Sequence, residues 1–219
     1  MQPAPGGTPL NLTTNPRLDT ALQHGWQAWE DAVSSAGAAA TTTWLYARAN
    51  GEIAREEIAD TVAVLLDAED GDDRATARAE LAELLAGIDD AVAETLWEGV
   101  LAHGQATGDA ETLFDATSHL AAIAEESGDP LAAAEYHIDF LNWRRQPDHS
   151  ADPELVQTSF DEIIRLAERD GAQTAAAQFT FRQVTFTRLT EADEADPDAT
   201  PRAIEGDWEQ DPAPYTGWT

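Results

Sequence analysis

The chain contains no cysteine and no lysine. Without thiols it can form no disulfide, no zinc–thiolate site, no iron–sulfur cluster and no cysteine nucleophile. Its 12 basic residues are all arginine, set against 42 acids, for a formal net charge of −30 over 219 residues. Only Arg144 and Arg145 are adjacent. Phosphate recognition needs clustered basic side chains, so this composition argues against nucleic acid and against anionic membrane surfaces as partners. No apolar run approaches the ~20 residues of a membrane-spanning helix. The opening stretch, "MQPAPGGTPLNLTTNP", has neither a charged n-region nor an apolar h-region, so it does not read as a secretory signal. The expected location is cytoplasmic.

Catalytic motifs are missing as well. There is no Gly-x-Ser-x-Gly, no phosphate-binding loop and no Gly-x-Gly-x-x-Gly. The acidic run "DAEDGDDRA" lacks the ligand spacing and terminal glutamate of a calcium loop and reads as a solvated turn. No cofactor is implied, and the chain reads as non-catalytic.

What is present is acidity, alanine and threonine. A chain with so much like charge repels itself in dilute buffer, and salt screens that repulsion. At molar salt the Debye length is about 3 Å, so an acidic surface opposes folding little and keeps the protein soluble. Acidic excess without lysine resembles the proteins of extremely halophilic archaea. The resemblance implies a cytoplasm of high salt, or a virus particle of such a host.

Helical periodicity fills the middle of the chain. Asn15 is placed to cap a helix that Pro16 opens, since proline lacks only an N–H that would be unpaired there. Leu22, Trp26, Trp29 and Val33 then share a face. Ile58, Val62 and Leu65 form a second stripe, Ala77, Leu81, Leu84 and Ile88 a third, and Val92, Leu96 and Val100 a fourth. Further on, Gly128 can close one helix while Asp129 and Pro130 start the next. Asp152-Pro153 repeats that device, and Gly171 separates the last two segments. The stretch from 172 to 190 is rich in Phe, Val and Thr, which suits a strand. No second strand is in sight for it to pair with, so it reads as helix. The expectation is an all-α fold: a helical bundle or short helical-hairpin solenoid of about eight helices over 16–190. Residues 1–15 read as an extended N-terminal arm, and 191–219 as an acidic C-terminal arm.

Two segments echo each other, "EESGDPLAAAEYHIDFL" and "AERDGAQTAAAQFTFRQV". Each has an acidic helix end, a Gly turn, an alanine triplet and then aromatics. This pattern resembles a tetratricopeptide-like helical repeat over about 110–190. The resemblance implies helix pairs whose small residues allow close approach, serving protein–protein interaction. The turns at Gly128 and Gly171 lie 43 residues apart, longer than the family's ~34, with the extra length in "QPDHSADP".

The C-terminal arm holds nine acids and one arginine, yet also Trp208, Tyr215 and Trp218. A purely solvating tail needs no aromatic residues. Their apolar faces would drive binding to a groove, and such binding survives high salt. The arm therefore reads as a docking device for a protein partner or a second copy of the chain. Trp143, Arg144 and Arg145 at a helix end form a second candidate, because arginine grips carboxylates through a paired fork. Asp115, His119, His137 and Asp139 offer weak nitrogen and oxygen ligands for a metal. The function expected is a non-catalytic interaction or assembly subunit. The alternatives are a connector-type component of a virus particle, and a helical enzyme or ligand-binding protein with a polar site near His119 and His137.

Overall fold

The computed structural model describes residues 15–69, 71–146 and 148–195, except the side chains of 189 and 191–195. Ten helices and no strand occur among the described residues, so the protein is all-α. They run α1 (Pro16–Leu22), α2 (Trp26–Ala36), α3 (Ala38–Arg48), α4 (Arg55–Asp67), α5 (Gly71–Leu85), α6 (Asp90–Thr107), α7 (Ala110–Glu126), α8 (Pro130–Arg144), α9 (Pro153–Arg169) and α10 (Gln173–Ala195). The chain divides into two compact units, residues 1–99 and 100–219. Residues 1–14 and 196–219, and with them most of both expected arms, lie outside the described residues.

In the first unit, consecutive helices from α1 to α5 pack on one another. Asn15 caps α1, its Oδ1 accepting from the backbone N–H of Arg17 at 3.2 Å and of Leu18 at 3.4 Å. The segment expected as one helix from Asn15 to Val33 is two. Gly25 takes φ 88°, a left-handed conformation that breaks the helical run. Trp29, Val33, Trp44, Leu45, Ile58, Val62 and Leu81 are buried. A buried ion pair crosses this core. Arg78 donates from Nε to Glu30 Oε1 at 2.7 Å and from a terminal nitrogen to the Gly99 carbonyl at 3.2 Å. Its guanidinium also lies 4.9 Å from the Trp26 ring centroid.

The second unit holds the C-terminal half of α6 and α7 to α10. Helix α7 packs on α8, α8 on α9, and α9 on α10. Sharp turns make these pairings possible. Gly128 at φ 88° and Gly171 at φ 78° close α7 and α9 within three-residue connections. Asp129 and Asp152 cap α8 and α9 from Oδ1, accepting from Ala132 N at 3.0 Å and Glu154 N at 2.8 Å. In the first alanine triplet Ala133 and Ala134 are fully buried, in a cluster with Ala121 of α7 and Leu166 of α9. The Phe/Val/Thr-rich stretch is helical. Helix α10 extends through Ala195, five residues into the stretch read as arm.

Candidate interaction surface

Helix α10 has one side in the core and one side bare. Ala176, Phe179 and Phe186 are buried, the two phenylalanines in a cluster with Val156, Phe160 and Ile163 of α9. On the opposite side Phe181 is 73% exposed and Val184 42%. Gln173, Thr174, Ala177, Gln178, Phe181 and Arg182 line a shallow groove of about 660 Å³ there.

The 43-residue echo explains why the face is bare. Shifting α8 by that interval sets Ala134 on Ala177, Ile138 on Phe181 and Leu141 on Val184. All three residues of α8 are buried, and Ile138 and Leu141 share a core cluster with α9. All three counterparts on α10 are exposed. Trp143 and its counterpart Phe186 are both buried. So the inward side is matched, and α10 leaves open the side that α8 closes. Terminal units of a stacked helical array need a polar outer face to stay soluble. Here that face sets Phe181 and Val184 among Gln173, Thr174, Gln178 and Arg182, and no carboxylate occurs between Asp170 and Glu191.

The other sequence candidates have local employment. The Trp143 indole is buried, stacked on His149 with centroids 4.3 Å apart and on Phe140 at 6.0 Å. His149 Nδ1 donates to the Trp143 carbonyl at 2.9 Å, and Arg144 donates to the His149 carbonyl at 3.1 Å. Trp143 and Arg144 thus hold the connection after α8 in place, and Trp143 offers no exposed ring to a partner. Arg145 is half-buried beside them. Trp208, Tyr215 and Trp218 lie outside the described residues.

The histidine candidates do not converge. His137 is 3% exposed, beside Phe114 at 6.4 Å between ring centroids. Burial lowers its pKa to about 4, with Glu162 opposing and Arg165 reinforcing the shift. Asp139, two residues on, is exposed, as is Asp115, while His119 is half-buried. Among the described residues no group of three or more His, Asp or Glu side chains is placed to hold a metal ion.

Two polar networks complete the picture. In the first unit a cleft of about 610 Å³ is lined by Asp19, Arg48, Glu94 and Glu98 among others. Arg48 grips Asp89 through Nε and through a second nitrogen at 2.8 Å, and stacks on Trp44 at 5.0 Å. Burial and neighbouring Glu94 push the Glu98 carboxyl above its ordinary range. In the second unit Arg165 of α9 forks onto Glu125 of α7 at 2.9 and 2.6 Å, and Arg169 joins the same carboxylate. The Arg165 hydrogen bonds hold Glu125 below the usual glutamate range.

Compared with known proteins, the chain matches no family model, and no curated protein or solved structure is significantly similar to it. No helix among the described residues is long and apolar enough to cross a membrane.

Phe181 and Val184 are the surface residues that the sequence pattern did not single out. Their signal was present in the acid-free interval from Gly171 to Thr190. On a chain of charge −30, this carboxylate-free interval is distinct from the end of the same helix, which carries Glu191, Asp193 and Glu194.

Proposed function

We propose that this protein is a non-catalytic helical interaction and assembly subunit, docking on neighbouring chains through its C-terminal end. The bare apolar side of α10, matched residue for residue by a covered side on α8, carries this reading. An exposed apolar patch rimmed by polar groups is the usual mark of a protein-contact site. The arm that follows α10 supplies Trp208, Tyr215 and Trp218, residue types that dominate contact energetics. The acidic excess and arginine-only base set support a high-salt setting, in which contacts must rest on apolar burial more than on charge.

The test is the solution mass of the full chain and of a chain ending at Ala195, by light scattering in roughly 2–3 M KCl. An oligomer that dissociates on truncation supports the assembly reading. A monomer of full chain at every concentration contradicts it. The alternative of a ligand site near His119 and His137 has less support, because His137 is buried and Asp139 is exposed.

A further inference from the structure

The bare side of α10 has a specific occupant, and the rest of the chain names it. Helix α9 follows α8 after the sequence Ala151-Asp152-Pro153-Glu154, in which Asp152 caps and Pro153 opens the helix. Immediately after α10 the chain reads Ala195-Asp196-Pro197-Asp198. The opening device of α9 therefore recurs 44 residues later, at the point where the next helix of the stack would begin. At the same interval, Phe160 and Ile164 of α9 correspond to Ile204 and Trp208. Phe160 is fully buried, and Ile164 packs partly buried on the same cluster. Apolar residues thus recur where α9 places two of its core contacts.

Charge points the same way. Residues 196–219 hold six acids and one arginine, with Asp207 and Glu209 flanking Trp208. Arg182, over the Phe179 ring at 5.6 Å, lines the groove, Arg188 follows six residues on, and no carboxylate occurs from Gly171 to Thr190. The groove is the natural landing place for an acidic, aromatic segment on a chain that is acidic elsewhere.

Connection length decides whose segment it is. The reversal from α8 to α9 uses residues 145–152, and the tighter reversals at 127–129 and 170–172 each use a glycine at positive φ. Helix α10 is described as far as Ala195, which leaves one residue, Asp196, before Pro197, and no glycine occurs before Gly206. Proline also disfavours the helical region for the residue before it. One non-glycine residue is too short a hinge for the segment to turn back on its own helix, and short hinges favour exchange between copies.

We infer that residues 196–208 of a second copy occupy the bare side of α10, taking there the place that α9 takes on α8. Two copies exchanging arms in this way close on themselves by two-fold symmetry, each arm covering the other's Phe181 and Val184. Once one arm has seated, the second seats within the same complex, at high effective concentration. The inference rests on the assembly reading above and names its contact.

A synthetic peptide of residues 196–219 is titrated into the chain ending at Ala195, in high salt, and the same is done with that chain carrying Phe181→Glu and Val184→Glu. In parallel, the mass of the full chain is measured with and without the two substitutions. Both side chains are exposed, and unchanged helicity by circular dichroism verifies that the variant folds. The expected result is a full-length dimer, a monomeric double variant, and peptide binding weakened at least tenfold by the substitutions. A double variant that stays dimeric, while truncation dissolves the dimer, overturns this seat and leaves the assembly reading standing. A monomeric full chain, with a truncated chain that still binds the peptide at Phe181, means that each arm lies on its own copy. That outcome overturns both the exchange and the assembly reading.

Discussion

Ile138 and Phe181 stand 43 residues apart at matching places on α8 and α10, the first 5% exposed and the second 73%. The difference is one of neighbours: α8 has a helix packed on either side, α7 and α9, and α10 packs along α9. Substitution separates the two positions. Ile138→Ala removes a buried side chain and is expected to cost about 2–5 kcal/mol. Phe181→Ala leaves stability of the isolated chain within about 0.5 kcal/mol, as for ordinary surface positions. Chemical denaturation of the chain ending at Ala195 measures both, free of any arm.

Gly104 lies where two helices approach closely. A Cβ on Gly104 would stand 2.8 Å from the backbone nitrogen of Leu113, so α6 and α7 must move apart to admit it. Gly104→Ala is expected to destabilise by about 1–3 kcal/mol despite alanine's better helix propensity. At Gly99 a Cβ would stand 3.0 Å from the Arg78 side chain, which has more freedom to yield than backbone. Gly99→Ala should therefore cost less. Equal losses at the two positions would contradict the ordering.

The buried Arg78–Glu30 pair gives a third expectation. Arg78 is 8% exposed at its side chain and Glu30 20%. Removing one partner of a buried pair leaves an uncompensated charge, at a cost of about 3–5 kcal/mol. Glu30→Ala should show that loss, whereas Glu30→Ala combined with Arg78→Met should recover part of it. The check is a double-mutant cycle by thermal or urea unfolding.

Stability should also carry a histidine signature in pH. The pKa of His137 lies at about 4 in the fold against about 6.5 in an unfolded chain. The unfolded state therefore binds the extra proton first as pH falls. The contribution of neutral His137 is complete above about pH 6.5, is lost progressively below it, and is gone once pH passes about 4. The loss between pH 8 and pH 4.5 is about 2–3 kcal/mol. Glu162 and Arg165 on α9 act on the same ring. The Glu125 carboxyl, held low by Arg165, adds a second loss that sets in as pH falls into the ordinary glutamate range and grows below it. Comparing wild type with His137→Leu at both pH values isolates the histidine, and parallel curves would contradict the assignment.

Much of this fold was legible in the sequence, because its helices are punctuated by local chemistry. Asn15, Asp129 and Asp152 are read as caps and act as caps, each before a proline whose missing N–H the first helical turn does not need. Stripes such as Ile58, Val62 and Leu65 predict burial because period 3.6 fixes which residues share a face. Other features depend on tertiary contact and were not legible. The break at Gly25 turns on a backbone conformation within an otherwise continuous apolar stripe. In the next helices Leu85 is buried where Leu84 was expected, a rotation that packing decides. Trp143, read as a docking residue, is buried, and its stacking on His149 was not legible, since the ring is brought back by the connection after α8. Phe181 reads like any other aromatic of its segment. Among the described residues no further helix packs on that side of α10, and its exposure follows from that.

Hinge length provides a further test. Inserting eight Gly/Ser residues between Ala195 and Asp196 gives the arm the same reach that the 145–152 connection gives α9. Linkers of that composition are flexible, so the arm should fold back on its own helix and the dimer should become a monomer at low concentration. A dimer unaffected by the insertion, at any concentration, would contradict the hinge argument.

The most direct measurement of the central claim is light-scattering mass, in roughly 2–3 M KCl, for the full chain and for Phe181→Glu side by side. If the bare side of α10 is the assembly contact, the full chain has twice the mass of one chain, 23.6 kDa, and the variant has that of one. Equal masses for the two would contradict it.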